Sequence, residues 1–144
     1  MNNILVCIDF DEKTELLIEQ AEKFAKSFNS KVWLMHIAAP DPEFVGYGVG
    51  PQYIRDFRAE ELKKEHKTLQ QLAENLQNNN IESEGLLVQG PTVEVIIEES
   101  KKLNIDLIIA GHHEHGFFYN AFTGSVSNQI IKESKIPVLI VPIL

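Results

Sequence analysis

The sequence predicts an open α/β sheet of parallel strands with helices on both faces, and three observations predict it. Short, nearly continuous apolar runs recur at Ile4 to Ile8, Val32 to Ala38, Asp106 to Ala110 and Val138 to Val141, as expected of strands buried on both faces. Amphipathic segments with helical spacing separate them. Between the fourth run and the last helix lies a glycine-bearing stretch, Gly111-His112-His113-Glu114-His115-Gly116, followed by Gly124-Ser125. Strands alternating with helices favour right-handed parallel crossovers, and in such sheets ligands sit where a strand's carboxyl end meets a helix start.

Each element has its own signal. The first strand ends at Asp9, and Leu17, Ala21, Phe24, Ala25 and Phe28 then mark one face of a crossover helix that stops near Asn29-Ser30. The second strand, Val32 to Ala38, leads into Ala39 to Pro51, where three prolines and three glycines are loop chemistry. That segment is long enough to act as a lid. The second helix is traced through Ile54, Phe57, Leu62, Leu69, Leu72, Ala73 and Leu76 and ends at Asn78-Asn79-Asn80. Glu82 to Val88 is the third strand, and Gly90-Pro91-Thr92 turns into a helix with Val93, Ile96, Ile97 and Leu103 on one face. After the fourth strand the last helix, Ser125 to Lys132, carries Val126, Ile130 and Ile131. Pro137 bars its continuation into the final strand, Val138 to Val141.

At 144 residues with 44% hydrophobic content, the chain is sized for one domain spanning 1–144. Its net charge of −8 argues against a nucleic-acid or anionic-membrane surface, which needs clustered Lys and Arg. Any bound phosphate must be held locally, by backbone. Cys7 is the only cysteine, so no intrachain disulfide forms, and it reads as a small core residue in a reducing compartment. The amino-terminal apolar run is too short for a membrane span and lacks a basic flank, so a cytoplasmic location is expected.

The glycine stretch fits neither standard phosphate signature. Gly111 and Gly116 have Walker A spacing, but Phe117-Phe118 stands where Lys and Ser/Thr would reach phosphate and Mg²⁺, and G-x-G-x-x-G is absent. The spacing instead resembles the universal stress protein family, whose nucleotide-binding members carry G-x-x-G, nine intervening residues, then G-[S/T]. Gly111 opens that pattern here, Gly124-Ser125 closes it in register, and Glu114 replaces the second glycine. Ile4-Leu5-Val6-Cys7-Ile8-Asp9 and Ile136-Pro137-Val138-Leu139-Ile140-Val141-Pro142 also look like the family's first and last strands, so the resemblance spans the chain.

The resemblance implies a five-stranded, Rossmann-like (adenine nucleotide alpha hydrolase-like) sheet of order 3-2-1-4-5. It further implies a stress-response role as a nucleotide-dependent sensor, with ATP or ADP, with or without Mg²⁺, in a crevice of Asp9, Ile37, Ala38, Gly111, Glu114, Gly116, Gly124 and Ser125. A homodimer through Val138 to Val141 is the third implication. The glycine-poor branch of the family offers an alternative: a dimeric protein-interaction module that binds no nucleotide. Glu114 favours it, whereas Gly124-Ser125 favours nucleotide.

Competing chemistry is weaker. A phosphoacceptor receiver domain fails because the third strand ends in Val88-Gln89-Gly90, without an Asp, and the fifth in Pro142, without a Lys. His112, His113 and His115 could ligate a metal, but adjacent histidines rarely reach one ion, and solvated loop side chains are the plainer reading. Asp9 could instead be a helix N-cap, as could Asp11. Phe117, Phe118, Tyr119 and Phe122 read as packing residues rather than base-stacking ones, and His36 and His66 as packing or hydrogen-bonding residues, the latter on the apolar side of the second helix. With no Walker lysine and no arranged nucleophile and base, the chain does not read as an enzyme, slow ATP hydrolysis being the one activity left open.

Overall fold

The computed structural model describes residues 1–10, 13–38, 52–113 and 124–143. In chain order the elements are β1 (Asn3–Cys7), α1 (Thr14–Phe28), β2 (Lys31–Ala38), α2 (Gln52–Asn78), β3 (Ser83–Gln89), α3 (Thr92–Lys102), β4 (Leu107–His113), α4 (Gly124–Glu133) and β5 (Val138–Ile143). All four strand pairings are parallel, in the order β3-β2-β1-β4-β5. This is the Rossmann-like, doubly wound architecture that the alternation of elements predicts.

The central strand explains why the runs are continuous. Ile4, Val6 and Ile8 join Val32, Leu34, Leu107 and Ile109 in a core closed by Leu17, Ala21 and Ala25 of α1 and Leu69, Ala73 and Leu76 of α2. Leu5 and Cys7 face the other way, joining Met35, Ile108 and Ala110 under Val93 and Ile96 of α3 and Ile130 of α4. Side chains alternate across a strand, so a strand covered on both sides has no polar face to show.

The amino ends of three strands are set by one repeated turn. Asn29, Asn80 and Asn104 adopt positive φ of 54°, 63° and 52°, and the amides of Ser30, Ile81 and Ile105 each reach back five residues, to the carbonyls of Ala25, Leu76 and Ser100. Asparagine tolerates the left-handed conformation that ends a helix this way. At the same end, the Asp106 carboxylate accepts hydrogen bonds from the amides of Asn2 (2.7 Å) and Asn3 (3.0 Å), which hold its pKa below the usual value. These turns occupy one end of the sheet and leave the other for a ligand.

Several expectations need correction. β4 runs to His113 rather than stopping at Ala110, because β5 continues to Ile143 and pairs with it throughout: Gly111 lies opposite Val141, His112 opposite Pro142 and His113 opposite Ile143. A glycine can sit within a strand when partners lie alongside. Phe28 and Phe57, assigned to buried helix faces, are 53% and 64% exposed. Phe28 is in the last turn of α1, stacked at 6.5 Å on Phe24. Among the described side chains the buried stripe of α2 lies in its carboxyl half, and His66 is exposed, not on an apolar face.

Candidate functional site

Strand order places the carboxyl ends of β1 and β4 at the point where successive connections diverge to opposite faces of the sheet. In open α/β sheets this is where ligands are accommodated, because the helices following the two strands leave in opposite directions. Val6 pairs with Ile109 and Cys7 with Met35. Continuing both registers brings Gly111, Ile8 and His36 level across β4, β1 and β2, with Asp9 one step further, level with Ile37.

Beyond Cys7, side chains rather than backbone ladders shape the chain. The Ile8 amide still donates to the Met35 carbonyl at 2.7 Å, but the Ile8 carbonyl meets the Nδ1 atom of His36, also at 2.7 Å. A carbonyl can only accept, so Nδ1 carries the hydrogen. One residue later, the Asp9 carbonyl accepts from Thr14 Oγ1 at 3.0 Å, tying the strand end to the first turn of α1. The residue at the N-cap position is Lys13, without a side-chain cap bond, so Asp9 does not occupy the capping position considered for it.

Asp9 is half-buried. Its charge is felt at Cys7, whose thiol is pushed up to about 12, mainly by burial and secondarily by the Asp9 carboxylate. Such a thiol stays protonated and unreactive at neutral pH. Phe10 is 37% exposed and lies with its ring 4.3 Å from that of His36. His36 Nε2 faces Glu65 Oε2 of α2 at 3.9 Å.

The structure thus brings Asp9 and Ile37 to one end of adjacent strands. Ile37 packs partly buried against the α3/α4 core. Ala38 is 1% exposed, so its side chain is closed to solvent. Gly111 is buried within β4, and Gly124 and Ser125 are the first two residues of α4, which packs on β4, β5 and α3. The first-turn amides of a helix have no partner within it and attract anions. Glu114, Gly116, His115, the aromatic residues 117–122, Asp11 and the 39–51 segment lie outside the described residues. Among the described residues no three His, Cys, Asp or Glu side chains are grouped to hold a metal ion, and no helix is long and apolar enough to cross a membrane.

His36 is the residue whose place at the site the sequence reading missed. The available signal was a polar side chain in an otherwise apolar buried strand, where an imidazole needs a partner.

The parallel sheet of order β3-β2-β1-β4-β5, with helices on both faces, defines a Rossmann-like class of α/β protein. The universal stress protein family model matches residues 1–142, and the chain belongs to that family. Universal stress protein A of Yersinia pestis is 28% identical over 141 residues, covering 98% of this chain and 91% of that protein. Among solved structures, universal stress protein UspA of Lactobacillus plantarum superposes with a TM-score of 0.79 at 15% identity, covering 97% of each chain. The universal stress protein of Archaeoglobus fulgidus, solved in complex with dAMP, superposes with a TM-score of 0.62 at 19% identity, also covering 97% of each.

Proposed function

We propose that this chain binds an adenine nucleotide, ATP or ADP, at the carboxyl ends of β1 and β4 and acts as a nucleotide-dependent regulator in the cytoplasmic stress response. The observation that carries the reading is the convergence of three features on one end of the sheet: Asp9 after β1, Gly111 near the end of β4, and the first-turn amides of Gly124 and Ser125 opening α4. Asp9, with Ile37 and the Ala38 backbone, is assigned to the nucleoside, and the α4 amides with Gly111 and Gly116 to the phosphates. The dAMP complex of the A. fulgidus relative supports the ligand class. No catalytic role is assigned.

Mass spectrometry of freshly purified, denatured protein tests the reading: co-purified adenine nucleotide is the expected result. Its absence, together with no heat on titration with ATP, would leave the second reading, a protein-interaction module. Glu114 favours that module because a carboxylate stands where close backbone approach to phosphate calls for glycine. Both readings share a homodimer across β5, an edge strand whose Val138, Leu139 and Ile140 are only partly buried. Sedimentation equilibrium at tens of micromolar, an order-of-magnitude working range, should show the dimer; monomer alone would remove it.

A further inference from the structure

We propose that His36 is a positioning residue: its imidazole holds the Ile8–Asp9 peptide plane so that the Asp9 amide and carboxylate are presented to a bound nucleotide. The inference rests on the nucleotide reading above and adds a residue that neither the glycine pattern nor its spacing points to.

In a parallel pair, a residue that donates to one neighbour accepts from the residue two further along the partner strand. Ile8 donates to Met35, so the Ile37 amide would be the next donor in a regular ladder. The His36 side chain takes that position on the Ile8 carbonyl instead, at 2.7 Å. The ladder between β1 and β2 ends there, and the chain beyond Ile8 is released from the sheet with its last carbonyl fixed.

Fixing that carbonyl fixes more than Ile8. Its carbonyl and the amide of Asp9 belong to one planar unit and point in opposite directions. With the carbonyl turned toward β2, the Asp9 amide is turned toward β4, the side on which the crevice opens. The Asp9 carbonyl is held separately by Thr14 Oγ1, so the peptide units on both sides of the Asp9 Cα atom are tied, and the direction of its side chain follows.

The imidazole is itself held in place. Phe10 packs against it at 4.3 Å between centroids, and on the far side Nε2 looks toward Glu65 Oε2, a buried atom with no hydrogen bond among the described residues. A ring held by a strand carbonyl on one side and an aromatic neighbour on another has little rotational freedom left. This is more constraint than packing alone requires, and it converges on the peptide before Asp9.

The test separates the donor from the bulk of the ring. His36→Asn places an amide where Nδ1 stands and can keep the bond to Ile8, whereas His36→Leu keeps volume and loses the donor. Both lose the contacts with Phe10 and Glu65, so both should melt earlier by a similar amount. In ligand-free protein, the Asp9 and Phe10 amide resonances should stay near their parent positions in His36→Asn and move in His36→Leu. With ATP as the titrant, His36→Leu should bind at least about tenfold more weakly and His36→Asn within about threefold of the parent.

Equal amide displacement in the two variants, or affinities that follow melting temperature instead of the donor, would overturn the proposal. If the parent itself binds no ATP, the nucleotide reading fails and presentation to a ligand fails with it. The ligand-free amide comparison would still decide whether His36 sets the Asp9 peptide.

Discussion

Raising the pH should unfold this protein partly through one buried thiol. Cys7 is 2% exposed in the core beneath α3 and α4, and burial, with the Asp9 carboxylate adding to it, lifts its pKa from 9.0 to about 12. The unfolded chain releases this proton near 9 and the folded chain near 12, so between those values the folded state binds more protons. Stability from this group is therefore complete below pH 9 and is lost as the pH rises toward 12. At about 1.4 kcal/mol per pH unit, the loss is about 2 kcal/mol by pH 10.5 and on the order of 4 kcal/mol when complete. To isolate this one group, the quantity to measure is the difference between parent and Cys7→Ala in urea unfolding at pH 8 and pH 10.5. At pH 8 the variant should be less stable by about 1 kcal/mol, from the cavity it leaves. At pH 10.5 the order should reverse. A gap that keeps its size across this range would refute the reasoning, because the thiol would then ionise as easily inside as outside.

Other substitutions address the packing and the crevice. Gly85→Ala would put a methyl group 3.0 Å from Leu69 Cβ and 3.2 Å from the Leu69 carbonyl, forcing α2 away from β3. The expected net cost in urea unfolding is about 1 kcal/mol, overpacking being partly offset by a stiffer unfolded chain. Asp9→Ala and Ser125→Ala should each weaken ATP binding by calorimetry, and unchanged heats in both would show that the crevice is misplaced. Glu114→Gly should tighten ATP binding by roughly tenfold, about 1.4 kcal/mol, with Glu114→Gln recovering only the charge part. A folded Glu114→Gly that binds like the parent would make Glu114 a harmless surface residue.

The fold was legible because burial on two faces writes itself into the sequence. Each of Ile4, Leu5, Val6, Cys7 and Ile8 is essentially inaccessible, and no alternating or half-polar pattern competes with that run. Two helix ends were legible for a different reason, since the asparagines at 29 and 80 supply the left-handed residue at which the chain turns back; Asn104 does the same after α3, although the sequence reading named no stop there. The start of α2 misled because a helix longer than its footprint obeys periodicity only where it touches. Leu69, Ala73 and Leu76 cover the sheet, while Tyr53 and Phe57, about four and three turns before Leu69, are 74% and 64% exposed.

The candidate site was less legible because it depends on where strands stop, and hydrophobicity does not say where that is. Gly111 reads as punctuation by itself, yet β4 passes through it because β5 lies alongside. Conversely, nothing apolar changes at Ile8, which is as buried as Val6; β1 ends because a histidine and a threonine hydroxyl take the next two carbonyls. These bonds join residues 28 and 5 positions apart in the chain, too specific for composition and too irregular for periodicity. The family spacing points to residues 111–125, of which 114–123 lie outside the described residues, whereas the side chains around Ile8 show how the chain at Asp9 is tied to β2 and α1. Variation among relatives that keep the glycines is therefore expected to act through strand-end contacts of this kind as much as through the loop itself.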